Sequence, residues 1–201
     1  MSIVVEHDKR RRAILEKALD VFVDEGFENV TCQKIADRCD ITRTTLYIYF
    51  KNKREIFNFS IKQFLGELED NIVKIKDAKN ISHTDKLIQV ITVIFERLQE
   101  NHRLLSVIMN YLIHISKSDS DPDYRVRKRT VRLRHILAGV LIEGVKAGEF
   151  VPRLNIKNAK ELLYSFLEAA VFRMVILRRS SVEELKDAMK LVVQLFVLKA
   201  D

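Results

Sequence analysis

The sequence predicts an all-α protein, with a three-helix N-terminal domain over residues 1–50 followed by a six-helix domain over residues 51–201. Three observations carry this. Only 5 Gly and 2 Pro among 201 residues leave few places for the chain to turn. Hydrophobic residues make up 47% of the chain, enough for a real core. They recur at i, i+3, i+4 and i+7, the spacing of one helix face, and β-branched residues fall inside these patterns instead of in alternating runs.

Residues 1–7 read as a loose arm. Lys9 to Arg12 form a basic cluster that is either a solvated helix start or a phosphate contact. Ile14, Leu15, Ala18, Leu19, Phe22 and Val23 then form the stripe of the first helix, which Gly26 ends as a C-cap. Phe27 and Val30 cover the core. Thr31 caps a second helix, whose apolar face is Cys32, Ile35, Ala36 and Cys39. Asp40 breaks that pattern, since Asp tolerates the left-handed backbone of a sharp turn. Ile41 plugs the space between helices and Thr42 caps a third helix. Leu46 and Phe50 face inward. Arg43, Thr44, Thr45, Tyr47 and Tyr49 face outward: one long cation, hydroxyls and phenols, the groups that bond base edges and phosphates. This is a helix-turn-helix whose second member fits a major groove.

A fourth helix begins at about Asn52, with Asn52-x-x-Glu55 as a capping box. Its stripe of Phe57, Ile61, Phe64, Leu65, Leu68, Ile72 and Ile75 links the two domains. A polar loop over 76–83 follows, then helices over 84–100 and through Leu104 to Ile115. Pro122 opens a helix that Gly148 stops, with Pro152 in the connector. The last two helices, 156–179 and 182–199, have apolar stripes wider than one core needs, and Ser181-x-x-Glu184 reads as a capping box. Their wide stripes make Phe166, Ala170, Met174, Met189, Val192 and Phe196 candidates for a dimer interface between two subunits.

The run Thr31, Ile35-Ala36, Ile41-Thr42, Thr45-Leu46-Tyr47, Tyr49-Phe50 and Lys51-Asn52-Lys53 resembles the DNA-binding signature of the TetR/AcrR family of bacterial transcriptional regulators. The resemblance covers roughly residues 9–57 closely and the rest in architecture only. Asp40 departs from it, standing where the family usually has Gly. The resemblance implies a ligand-binding and dimerisation role for the second domain, and a homodimeric repressor of an inverted-repeat operator on double-stranded DNA. A small-molecule effector would release it by tilting the fourth helix. For the outward residues, Arg43 and Thr44 are assigned to bases. Gln33 joins them by analogy with the family position. Thr31, Thr42, Thr45 and Lys53 are assigned to phosphates, with Tyr47 and Tyr49 added mainly on the family's use of those positions. Tyr111, Tyr164 and Arg173 are possible polar handles in an effector pocket that is otherwise aliphatic and Phe, suited to an apolar or amphipathic ligand; a filled core is the competing reading.

The net charge of +7 suits an anionic partner, either nucleic acid or an acidic membrane surface. No stretch is long enough for a transmembrane helix, and the N-terminus does not read as a signal peptide. The two cysteines, seven apart on one helix, are too distant for a disulfide, as expected of a cytoplasmic protein. His83, His102, His114 and His135 lack metal-ligand spacing, and no phosphate loop or nucleophile motif is present, so neither a metal, a cofactor nor an enzyme is expected. The basic run at 125–134 reads first as a solvated, salt-bridged face. Two rivals stay open: constitutive DNA binding with a protein partner on that basic run, and a helical binding protein that does not touch DNA.

Overall fold

The computed structural model describes residues 2–116, 122–178 and 181–198. Among the described residues there are nine helices: α1 (Ser2–Asn29), α2 (Cys32–Arg38), α3 (Arg43–Tyr49), α4 (Lys53–Lys76), α5 (His83–Glu100), α6 (His102–Ser116), α7 (Pro122–Lys146), α8 (Ile156–Val175) and α9 (Glu183–Gln194). A single antiparallel bridge, Phe150 with Val197, is the only extended pairing among them. The helices build two compact units, Met1–Glu67 with Ser106–Ser120, and Leu68–Leu105 with Asp121–Asp201. α4 and α6 each contribute to both.

The first unit is built around Ile14, Leu15, Ala18, Val21 and Phe22 of α1, Ile35 and Ala36 of α2, Leu46 of α3, and Ile56, Phe57 and Ile61 of α4. Val107, Tyr111 and Ile115 of α6 complete it. Tyr111 packs against Phe27 and Phe57, ring centroids 4.6 and 5.0 Å away, and its buried hydroxyl has no hydrogen-bond partner. The expected loose arm is instead helical from Ser2 onward. No Gly or Pro interrupts that stretch, and His7 stacks on Tyr49 at 4.6 Å. Gly26 has φ 76°, a left-handed bend that kinks α1 three residues before its end. Asp40 adopts φ 56°, as its place in the turn requires, and its carboxylate meets Lys17 at 3.1 Å.

In the second unit, Leu68 and Ile72 of α4 pack with α5, α7, α8 and α9 over one continuous apolar core. Ion pairs tie its surface. Arg132 meets Asp70 at 2.9 Å and the largely buried Glu69 at 3.5 Å. Burial pushes the Glu69 carboxyl up, against the pull of that guanidinium. Arg134 donates to both oxygens of Glu161 at 3.1 Å and lies 3.5 Å over the Tyr164 ring. For these members the basic run is a salt-bridged face; the side chains of Arg125, Arg127 and Arg129 lie outside the described residues. The capping box expected at Ser181 does not form. Val182 is the residue preceding α9, and Ser181 Oγ accepts only a long 3.4 Å bond from the Glu183 N–H. α8 ends at Val175, earlier than expected, and Arg178 turns the chain with φ 53°.

The connector after α7 is held from three sides. A Cβ on Gly144 would come within 2.3 Å of the Phe150 ring, so glycine is needed for that ring to pack there. The Val151 N–H donates to Phe196 O and the Leu198 N–H to Glu149 O, both 2.9 Å, which fixes the C-terminal tail. The Glu149 carboxylate accepts from the Thr84 N–H at 3.1 Å and faces His83 Nδ1 at 2.6 Å, at the start of α5. Burial alone would raise this carboxyl, but the hydrogen bonds from His83 and Thr84 outweigh it and bring it below the ordinary value of 4.5. A depressed carboxylate stabilises the fold above its unfolded pKa and loses that contribution as pH falls through its folded pKa. Acidifying from pH 6 to pH 3 is therefore expected to remove more stability from the wild type than from Glu149→Gln, measured by chemical denaturation. Equal losses would show that the pair contributes nothing.

Candidate nucleic-acid interface

The first unit's exposed polar groups are set by caps. Thr31 Oγ1 accepts from the Lys34 N–H at 3.2 Å and opens α2; Thr42 Oγ1 accepts from the Thr45 N–H at 3.0 Å and opens α3. Thr42 and Thr45 also share a hydroxyl–hydroxyl bond of 2.8 Å. The Thr31 hydroxyl can accept from the backbone and still donate outward, whereas of Thr42 and Thr45 one spends its proton on their shared bond and the other keeps its own. Leu46 is fully buried, which turns Arg43, Thr44 and Tyr47 to solvent.

Arg43 and Tyr47 act as one group. Arg43 Nε and Nη2 donate to the Tyr47 hydroxyl at 3.2 and 2.9 Å, and the guanidinium carbon lies 5.4 Å from the ring centroid. That hydrogen bond raises the already high pKa of Arg43, so it is a cation throughout. The phenol accepts both bonds and keeps its own proton free to donate. Gln33 donates to Asp37 Oδ1 at 2.7 Å, one turn further along α2, so reaching a base requires that bond to exchange. Tyr49 is half-buried under His7.

Lys53 differs from the expectation. Its ammonium donates to Phe27 O, Glu28 O and Val30 O at 3.0, 2.9 and 3.0 Å, and lies 4.9 Å from the Phe27 ring centroid. An ammonium has three protons, and three carbonyls take them. This side chain clamps the connector between α1 and α2. Sequence spacing gave no sign of it, because the partners are more than 20 residues away.

The candidate pocket residues fall in both units. Tyr111 belongs to the first unit's core, so its role as an effector handle gives way to an aromatic packing role. Tyr164 and Arg173 are in the second unit. Tyr164 is buried beneath Arg134, and burial raises its phenol pKa. Arg173 pairs with Glu184 at 3.2 Å. The dimer candidates are revised as well. Ala170, Met174, Met189 and Phe196 are buried in this chain's own core, and Phe166 and Val192 lie at its margin. The apolar side chains left open on the last two helices are Leu162 and Phe172 on α8 and Leu191 on α9, with Leu195 open just past the end of α9. Ile48, which the sequence reading passed over, stands open on α3.

No group of His, Cys, Asp or Glu among the described residues could hold a metal ion. No described helix is long and apolar enough to cross a membrane. A capped helix-turn-helix presenting a cation, phenols and hydroxyls defines a DNA-binding protein. Comparison with known proteins specifies it further. Residues 14–58 match the model of bacterial regulatory proteins of the tetR family, and residues 57–197 that of the YsiA-like protein C-terminal region. The chain belongs to the TetR family and is a DNA-binding transcriptional regulator, not an enzyme. It is 26% identical over 162 residues to the fatty acid metabolism regulator protein of Bacillus subtilis, covering 79% of each chain. It is 28% identical over 159 residues to the HTH-type transcriptional repressor KstR2 of Mycolicibacterium smegmatis, covering 79% of this chain and 74% of that one. Its fold is similar to the crystal structure of FadR from Bacillus subtilis in complex with stearoyl-CoA, with TM-score 0.73 and 24% identity over 94% of this chain and 98% of that one.

The shared Arg43–Tyr47 bond makes a direct prediction. Tyr47→Phe keeps the ring and all charges but removes the acceptor that holds Arg43. DNA affinity is expected to fall by about tenfold, with the slope of log Kd against log salt unchanged, as read by fluorescence anisotropy. Unaltered affinity would mean the hydroxyl is idle.

Proposed function

We propose that the protein is a cytoplasmic homodimeric repressor that holds an inverted-repeat operator until a small amphipathic molecule binds its second unit. The observation that carries the DNA half is the Arg43–Tyr47 pair on the open face of a capped α3. Arg43 and Thr44 meet base edges, with Gln33 reaching in from α2 once freed from Asp37. Thr31, Thr42, Thr45, Tyr47 and Tyr49 hold phosphates. The dimer forms through Leu162 and Phe172 of α8 with Leu191 of α9 and Leu195 just beyond it, the last two 65% and 76% exposed. Apolar surface on that scale favours association. Two copies then meet two half-sites about one helical turn apart.

The effector reading is supported by composition and by likeness. The second core is mostly Leu, Ile, Val, Phe and Met, with Ala159, Ala170 and Tyr164 among them, and the FadR relative was solved with stearoyl-CoA. An apolar chain fits such an interior, while an anionic head would stay at its polar edge. The crevice beside Ile88, Ile91, Met189 and Lys186 holds about 10 Å³, room for one water. A ligand entering by this crevice would have to displace core side chains. α4 and α6 build both cores, so repacking one acts on helices that also form the other. Release requires only that the ligand prefer the state that does not fit DNA.

The test is selection of bound duplexes from a random pool, followed by release assays on the enriched sequence with stearoyl-CoA and with CoA alone. An inverted repeat, released by the acylated compound and not by CoA, is expected. A repeat that neither compound releases would contradict the effector reading and leave constitutive binding. A non-palindromic site would contradict the dimeric one.

A further inference from the structure

Two rows of side chains run along the open face of α3. Arg43 and Tyr47, four residues apart, form a polar row tied by hydrogen bonds. Thr44 and Ile48, also four apart and so on one strip of the helix, form the row beside it. Ile48 is 69% exposed, against 44% for Tyr47. It is not among the residues of the first unit's core, where α3 contributes Leu46 at 0% exposure and, at the margin, Tyr49. Its branched side chain has one strongly preferred χ1 rotamer in a helix, so it presents a stiff apolar tip. Its open neighbours on α3 are Arg43, Thr44 and Tyr47, a mostly polar setting unlike the contiguous apolar patch of a protein interface. A DNA major groove offers one apolar feature to such a tip, the C5 methyl of thymine.

We infer that Ile48 reads a thymine methyl, and that it sets the base preference at one position in each operator half-site. This rests on α3 lying in the major groove, as proposed above. The open face of α3 divides the work: Arg43 and Thr44 take hydrogen-bonding edges, Tyr47 takes a phosphate, and Ile48 takes the methyl. Ile48 is a specificity residue, not an anchor, because it carries no charge for the backbone and no donor or acceptor for a base edge.

Replacing thymine by deoxyuracil removes the methyl and nothing else. Each thymine of the selected operator is replaced in turn, and Kd is measured for wild type, Ile48→Ala and Thr44→Ser at one salt concentration. One thymine per half-site is expected to cost the wild type about fourfold on replacement, the affinity equivalent of one methyl-sized group. Ile48→Ala should bind thymine and uracil alike at that position, and Thr44→Ser should keep the difference. Ile48 is exposed, so the variant's fold can be checked by its unchanged melting temperature. The inference is overturned if no position is sensitive in the wild type. It is also overturned if Ile48→Ala keeps the sensitivity, or if Thr44→Ser alone loses it. Failure of the wild type to enrich any sequence would instead overturn major-groove reading by α3, and this assignment with it.

Discussion

The exposed face of α3 depends on a contact made outside α3. Lys53, in the first turn of α4, gives its three protons to Phe27 O, Glu28 O and Val30 O. Those carbonyls lie where α1 has kinked at Gly26 and its last groups have no partners within the helix. Without the ammonium they would compete for water at the edge of the core, and the entry to α2 would lose its anchor. Thr31 follows one residue after Val30 and caps α2; α2 in turn sets Asp40 and α3. The positions of Arg43 and Tyr47 therefore follow from a chain of backbone restraints that starts at Lys53.

A second constraint is sharing. α4 and α6 each donate one stretch to the first core and one to the second. Val107, Tyr111 and Ile115 close the first core beside Phe27 and Phe57, in the same aromatic cluster whose Phe27 ring lies under Lys53. The Tyr111 hydroxyl is buried there without a partner, which costs free energy that a phenylalanine would not. A contact built with such a deficit is less tightly held than its apolar area alone would make it. Two helices are thus common to both cores, and one of them is held by an imperfect contact.

Much of this was legible in the sequence. The helices, the Thr31 and Thr42 caps, the left-handed Asp40 and the inward Leu46 are all local features, decided within four residues. Asn52 is another, with Oδ1 accepting from the Glu55 N–H at 2.9 Å. What escaped was non-local or ambiguous. The clamp of Lys53 spans more than 20 residues and leaves no periodic trace. The docking of α6 on the first core is likewise invisible, since its apolar stripe reads the same whichever core it enters. α8 and α9 have two apolar faces each, and periodicity cannot say which belongs to the chain itself. Ala170, Met174, Met189 and Phe196 thus turned out to be core, and Leu162, Leu191 and Leu195 the open face. Ile48 was passed over because an apolar residue in a helix is read first as buried.

The measurement that tests the central claim most directly is Lys53→Met, with thermal unfolding and the salt dependence of DNA affinity followed together. A clamp predicts a loss of about 1–3 kcal/mol in stability and weaker DNA binding, with the slope of log Kd against log salt unchanged. A lysine that instead served a phosphate would leave stability intact and lower that slope by about 0.9, and the account of how this surface is held would be wrong.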